Sequence, residues 1–246
     1  MDDKFIDNND FINSAKKKRM LFILVVDTSA SMKNKIEIVN DAMKRNITKM
    51  KELDLSHNIA KVAITILEFD KDVRWIPEKP QEINNFNFID IECSNTGQSN
   101  YSKLYQSLNN KLNKEDLLEN ASDYHPIILL ISDGKPTDEY EDYLSECEEN
   151  EWFHRATRIA LPIITEKNMN EEEYRDSIDY ECIMDFTGQK EEMIFMISNL
   201  DKLADILDIV TITTIKHENK ENENDDDLNL DDPFNDIRNK ILKIEI

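Results

Sequence analysis

The chain has 246 residues, with 30 Lys plus Arg against 52 Asp plus Glu and a net charge of −22. A chain this acidic repels nucleic-acid phosphates and anionic lipid, which excludes both as nonspecific partners and leaves divalent cations and basic protein surfaces. Its hydrophobic content of 39% suffices for a packed core beneath a heavily charged surface.

Residues 1–17 read as an N-terminal flank. Met1-Asp2-Asp3-Lys4 is acidic and lacks the apolar core of a secretory signal, and Lys16-Lys17-Lys18-Arg19 reads as a solubilising approach to the first strand. No apolar run reaches the ~20 residues that span a bilayer. Cys93, Cys147 and Cys182 lie far apart with no C-x-x-C pair, which argues against a zinc site or disulfide framework and suits a reducing cytosol. A cytoplasmic location is the expectation.

Leu21 to Val26 is apolar at every position, the signature of a central parallel strand buried on both faces, predicted over 20–26. Ile36, Val39, Met43, Ile47, Met50 and Leu53 recur at helical spacing, predicting a helix over 35–53. A β-branched run from Ile59 to Phe69 predicts a second strand. Asp70-Lys71-Asp72 then turns the chain into an antiparallel edge strand, Val73 to Ile76, closed by Pro77 and Pro80. Residues 78–98 are polar and irregular, a connection of the length that often carries function.

Tyr101, Leu104, Tyr105, Leu108 and Leu112 mark the next helix, and Ile127 to Ile131 the next buried strand. A helix is expected near 139–153, a strand from Ile159 to Ile164 containing Pro162, a helical stretch near 171–184 and a short strand from Met193 to Ile197. Ser198 and Asp201 read as a capping box for a helix through Ile209. Residues 217–232, with the run Asp225-Asp226-Asp227, cannot bury apolar area and read as a disordered acidic linker. Residues 233–246 regain an amphipathic pattern at Phe234, Ile237, Ile241, Leu242 and Ile244, compatible with docking on the body or reaching another protein. No internal repeat is visible. The alternation predicts an α/β class: a Rossmann-like, doubly wound, mostly parallel six-stranded sheet with one antiparallel edge strand and helices on both faces, occupying 18–216.

Three segments at expected strand ends carry oxygen donors. The first is Asp27-Thr28-Ser29-Ala30-Ser31, the second the loop Thr96-Gly97-Gln98-Ser99, and the third Asp133. Ligand sites of open α/β sheets lie at the carboxyl ends of strands, and two carboxylates with three hydroxyls suit a hard cation such as Mg²⁺ that keeps exchangeable waters. Other roles are available to the same residues. Asp27, Ser29 and Ser31 suit the cap of the following helix, and Ser99 suits the cap of its own. Thr96 competes with Ser99 as middle donor, although register with Tyr101, Leu104 and Leu108 favours Ser99. Asp138 reads as a helix cap or surface carboxylate, and Glu68 and Asp70 belong to the hairpin.

These motifs together resemble the metal-ion-dependent adhesion site of von Willebrand factor A domains. Asp133-Gly134-Lys135-Pro136-Thr137-Asp138 and Phe69-Asp70 resemble the bacterial tellurite-resistance, TerY-like branch in particular. The resemblance implies a divalent cation, Mg²⁺ ordinarily and Mn²⁺ or Ca²⁺ as alternatives. Asp27 would contact it directly or through water, Ser29 and Ser31 through their hydroxyls, Ser99 as middle ligand and Asp133 through water. The family's middle ligand is normally threonine after two small residues; here Ser99 takes its place and Gln98 that of a glycine. The resemblance also implies a protein-binding role, with a kinase-like or phosphatase-like partner supplying an acidic ligand in a stress-response or defence complex.

Enzymatic readings find less support. There is no G-x-S-x-G elbow, no P-loop, and His57, His125, His154 and His217 are scattered. A non-enzymatic, metal-dependent interaction module is the leading expectation. The alternatives are a metal-dependent phosphotransfer or hydrolytic enzyme on the same carboxylates, and a metal-free scaffold, in one version beside an AAA+ ATPase.

Overall fold

In the computed structural model the described residues are 18–56, 60–118, 124–133, 136–164, 173, 178–221 and 233–245. Their strands form one sheet: β1 (Lys18–Asp27), β2 (Ala60–Phe69), β3 (Val73–Glu82), β4 (Ile127–Ser132) and β5 (Thr157–Pro162). The order is β3-β2-β1-β4-β5, parallel throughout except for β3 against β2. The helices are α1 (Ile36–Ser56), α2 (Tyr101–Lys111), α3 (Glu141–Glu148), the single turn α4 (Glu151–His154), α5 (Ile178–Phe186), α6 (Leu203–Glu221) and α7 (Pro233–Glu245).

The unbroken apolar run of β1 is explained by cover on both faces. Met20, Phe22, Leu24 and Val26 join one core with Val39, Met43 and Ile47 of α1, Ile206 and Val210 of α6, and Ile237 and Ile241 of α7. Leu21, Ile23 and Val25 join the other with Leu104, Tyr105 and Leu108 of α2, Cys147 of α3, and Cys182, Ile183 and Phe186 of α5. Helix α1 is fastened to α6 by a buried polar contact: Asn46 Nδ2 donates to Asp208 Oδ1 at 3.0 Å and to Thr211 Oγ1 at 2.7 Å.

The sheet of the described residues has five strands, not the expected six. Met193 begins no strand but ends a 3-10 turn, Glu191–Met193. Beyond it the chain touches β5 through isolated bridges, Ala160 with Ile194 and Ile163 with Ile197. Ile197 N donates to Pro162 O at 2.8 Å, so Pro162 turns that side of its backbone toward the segment and has no N–H to return. A proline on the receiving strand thus interrupts the ladder. Strand β3 departs the other way, continuing through Pro77 and Pro80 to Glu82. It lies at the sheet edge, where missing donors cost little.

The helix expected over 139–153 is two pieces, because Asn150 accepts from Trp152 N and Phe153 N and starts α4 anew. The helix expected near 171–184 is described from Ile178 to Phe186; most of its earlier part lies outside the described residues. The Ser198–Asp201 capping box is absent: Asn199 takes that place, accepting from Asp201 N at the head of a 3-10 turn, Leu200–Lys202, that leads into α6. Helix α6 runs to Glu221, into the stretch expected to be linker, while residues 222–232 lie outside the described set. Residues 233–245 dock on the body, with Ile237 fully buried and Arg238 Nη2 donating to Glu191 O at 2.6 Å. Among the described residues no helix is long and apolar enough to cross a membrane.

Candidate metal centre

The crossover from β2 and β3 back to β4, on the other side of β1, makes the ends of β1 and β4 a topological switch point. Pairing of Val26 with Ile131 sets Asp27 beside Ser132. The Asp27 side chain is fully buried. Its Oδ1 accepts from Ser29 N at 2.8 Å, and its Oδ2 accepts from Ser99 Oγ at 3.1 Å and Ser132 Oγ at 2.9 Å. Ser29 Oγ lies 2.9 Å from Ser31 Oγ. Ser29 precedes the 3-10 turn Ala30–Met32 without any side-chain cap bond, so its hydroxyl serves the cluster rather than the turn. Ser31, Lys33 and Asn34 are exposed and open the cluster to solvent.

The mid-chain loop is stitched to this edge through its backbone. Ala30 N donates to Thr96 O at 2.9 Å, Ser94 N to Thr28 O at 2.8 Å, and Asn100 N to Asp70 O at 2.8 Å. Thr96 Oγ1 faces Ser94 Oγ at 2.8 Å and Asp70, away from Asp27, whereas Ser99 reaches Asp27. The capping role open to Ser99 falls to Asn100, whose side chain accepts from Lys103 N.

The segment after β4 clamps the same loop. Thr137 N donates to Ser99 O and Ser99 N to Thr137 Oγ1, each at 3.0 Å. Asp138 caps α2 across the chain, accepting from Tyr101 N and Ser102 N at 2.8 Å each. Asp138→Ala should therefore cost about 1–2 kcal/mol, the usual worth of a cap, in denaturant unfolding. It should also weaken cation binding by loosening Ser99.

The electrostatics are those of a site short of positive charge. Burial raises the Asp27 carboxyl to about 6, the Ser29 N–H pulls it back, and the nearby Asp133 charge pushes it further up. Asp133 Oδ2 accepts from Lys35 Nζ at 3.2 Å, with both side chains buried. Asp133 Oδ1 is buried and has no hydrogen-bond partner among the described residues. Cys93, near Asp27, is raised to about 11 by burial first and then by Asp27 and Glu68, so it is a neutral thiol at pH 7 rather than a nucleophile.

Asp27, Ser29, Ser31 and Ser99 thus form one connected cluster, with Asp133 within electrostatic reach of Asp27. Among the described residues no three His, Cys, Asp or Glu gather as they would for a closed zinc site. The donor set is instead all oxygen, mostly neutral, with one carboxylate oxygen lacking a partner, and it fits a hard divalent cation that retains water. Sequence reasoning missed Ser132, Thr137 and Lys35. Thr137 sits inside the Asp133–Asp138 stretch already singled out and Ser132 directly precedes it, so a signal existed for both; Lys35 had none.

No family model matches the chain, and no curated protein does. Solved structures do. A von Willebrand factor type A protein from Catenulispora acidiphila matches with a TM-score of 0.55 at 12% identity, over 80% of this chain and 43% of that one. The chain has the von Willebrand factor A fold. Proximal thread matrix protein 1 from the mussel byssus, in a form with a zinc-occupied MIDAS motif, matches with a TM-score of 0.55 at 13% identity over 79% of this chain and 47% of that one. The ArnB paralog VWA2 from Sulfolobus acidocaldarius matches with a TM-score of 0.52 at 20% identity, over 78% and 45%. Likeness at such identities shows the fold alone, and the chain spans less than half the length of each of these three.

Proposed function

We propose that this protein is a non-enzymatic, divalent-cation-dependent protein-interaction module. Asp27, Ser29, Ser31, Ser99 and Asp133 would hold the cation, Mg²⁺ in the first instance. When bound, the cation supplies positive charge in an otherwise acidic surface and accepts a partner's carboxylate. The observation that carries this reading is the buried Asp27 carboxyl bonded to Ser99 from a distant loop, at the switch point of a von Willebrand factor A fold. The mussel protein's zinc-occupied MIDAS motif supports divalent binding in that fold. The stretch Asp133 to Asp138 supports the finer assignment, a TerY-like adaptor in a cytoplasmic bacterial stress-response or defence complex with a kinase-like or phosphatase-like partner. A metal-free scaffold is the second reading, favoured by the Lys35 ammonium on Asp133.

Calorimetric titration of Mg²⁺ into wild type and Asp27→Ala tests the proposal. A saturable site in wild type that disappears in the variant is expected; equal weak binding in both would leave the scaffold. Phosphatase and nucleotide-turnover assays with Mg²⁺ should show no activity, and turnover lost in Asp27→Ala would replace the module with an enzyme.

A further inference from the structure

Lys35 is the feature of the site that the sequence pattern does not mark and that a cation-binding role leaves unexplained. Its side chain is 8% exposed and pairs with Asp133, itself 6% exposed, at 3.2 Å. Lys35 N donates to Met32 O, and Lys35 O accepts from Val39 N, so the residue stands at the threshold of α1. A helix N-terminus disfavours a cation, and a buried ammonium loses hydration. Asp133 is the group that compensates for both. Among the described residues the pair leaves Asp133 Oδ1 without a partner and the Asp27 carboxyl without an ammonium of its own.

We infer that Lys35 is a built-in competitor for the divalent cation: its ammonium holds Asp133 in the metal-free protein and must leave that carboxylate when the cation is bound. This inference rests on the function proposed above. Two positive groups sharing one buried carboxylate repel each other, while either alone is attracted by Asp27 and Asp133. The lysine can yield because its stem is flexible and the neighbouring Lys33 and Asn34 are already exposed, which gives the ammonium a short path to water. Loading the site then does two things at once. It places the cation at the sheet edge and releases an ammonium to the rim, so an acidic partner meets two positive groups that the metal-free protein hides. The competition also lowers cation affinity, so loading responds to the cation level instead of being permanent.

The test uses the full chain at a single pH, with Mn²⁺ and Mg²⁺ titrated by calorimetry into wild type, Lys35→Met and Lys35→Arg. Asp27→Asn reports loose binding by acidic segments, and circular dichroism checks that each variant is folded. Lys35→Met keeps the length and apolar stem without the charge and should bind Mn²⁺ at least tenfold tighter than wild type. Lys35→Arg keeps the charge and should bind no tighter. Independently of variant stability, the ¹³Cε signal of Lys35 in wild type, assigned by its loss in Lys35→Arg, should shift saturably as Mg²⁺ is added. Equal or weaker binding by Lys35→Met, with an unmoved Lys35 signal, overturns the inference and leaves the interaction module standing. Absence of saturable binding in both wild type and Lys35→Met overturns the two together.

Discussion

Asp27→Asn is expected to make the metal-free protein more stable while abolishing its response to Mg²⁺. The Asp27 carboxyl titrates at about 6 in the folded protein against an ordinary 3.8. The folded state therefore holds a proton that the unfolded chain has already lost, and stability falls as pH rises from about 4 to about 6, then stays level with respect to this group. The difference corresponds to roughly 3 kcal/mol at neutral pH. An asparagine at this position keeps an oxygen for Ser29 N and offers an amide to the Ser99 or Ser132 hydroxyl, each able to accept. Above pH 6 the variant should thus melt roughly 6–12 °C higher than wild type, at about 2–4 °C per kcal/mol for a chain of this size. Wild type should gain stability as Mg²⁺ is added, by mass action on the folded state, and the variant should not. A variant no more stable than metal-free wild type at pH 7.5 would show that the buried carboxylate is not strained. Such a trade of stability for a charged site is what a binding position requires.

Much of this site was legible in the sequence because it depends on strand ends. An unbroken apolar run marks β1 as central, and a central parallel strand must deliver its last residue, Asp27, to the carboxyl edge. Choosing Ser99 over Thr96 followed from helical register with Tyr101 and Leu104, and in the structure the Ser99 hydroxyl donates to Asp27. What escaped depends on single backbone donors and on the direction of single side chains. Pro162 fits the apolar pattern of β5 and yet removes the N–H that would extend the ladder to a sixth strand. Pro77 and Pro80 carry the same defect at an edge, where β3 tolerates it. Asn150 and Asn199 cap where a longer helix and a different cap were expected, because asparagine competes with the helix through its own side chain. Lys35 lies at the threshold of an amphipathic helix with a charged surface, and nothing in a linear pattern distinguishes a lysine that turns inward from the many that do not.

The C-terminal helix supplies the second large effect. Residues 233–245 could have been an arm for another protein, but Ile237 is fully buried and Ile241 is 7% exposed, both within the core that also holds Val210 and Ile215 of α6. Each buried Ile→Ala change ordinarily costs about 2–5 kcal/mol, part transfer and part cavity. The double variant Ile237→Ala, Ile241→Ala therefore removes a sum comparable with the whole stability of an ordinary domain. The protein need not lose all of it, since α7 can undock and cap the loss at its own docking free energy. The central sheet and the Asp27 cluster draw on β1, β4, α1 and α2, none of which requires α7 for its own hydrogen bonds. The expected result is a melting temperature lower by about 10 °C or more. It should come with rapid protease cleavage within residues 233–245 and an unchanged Mg²⁺ titration. If Mg²⁺ binding disappeared with the helix, the C-terminal segment would be part of what holds the switch point in shape. A double variant that melts with wild type would mean that the helix does not dock in solution, leaving its apolar face free for a partner.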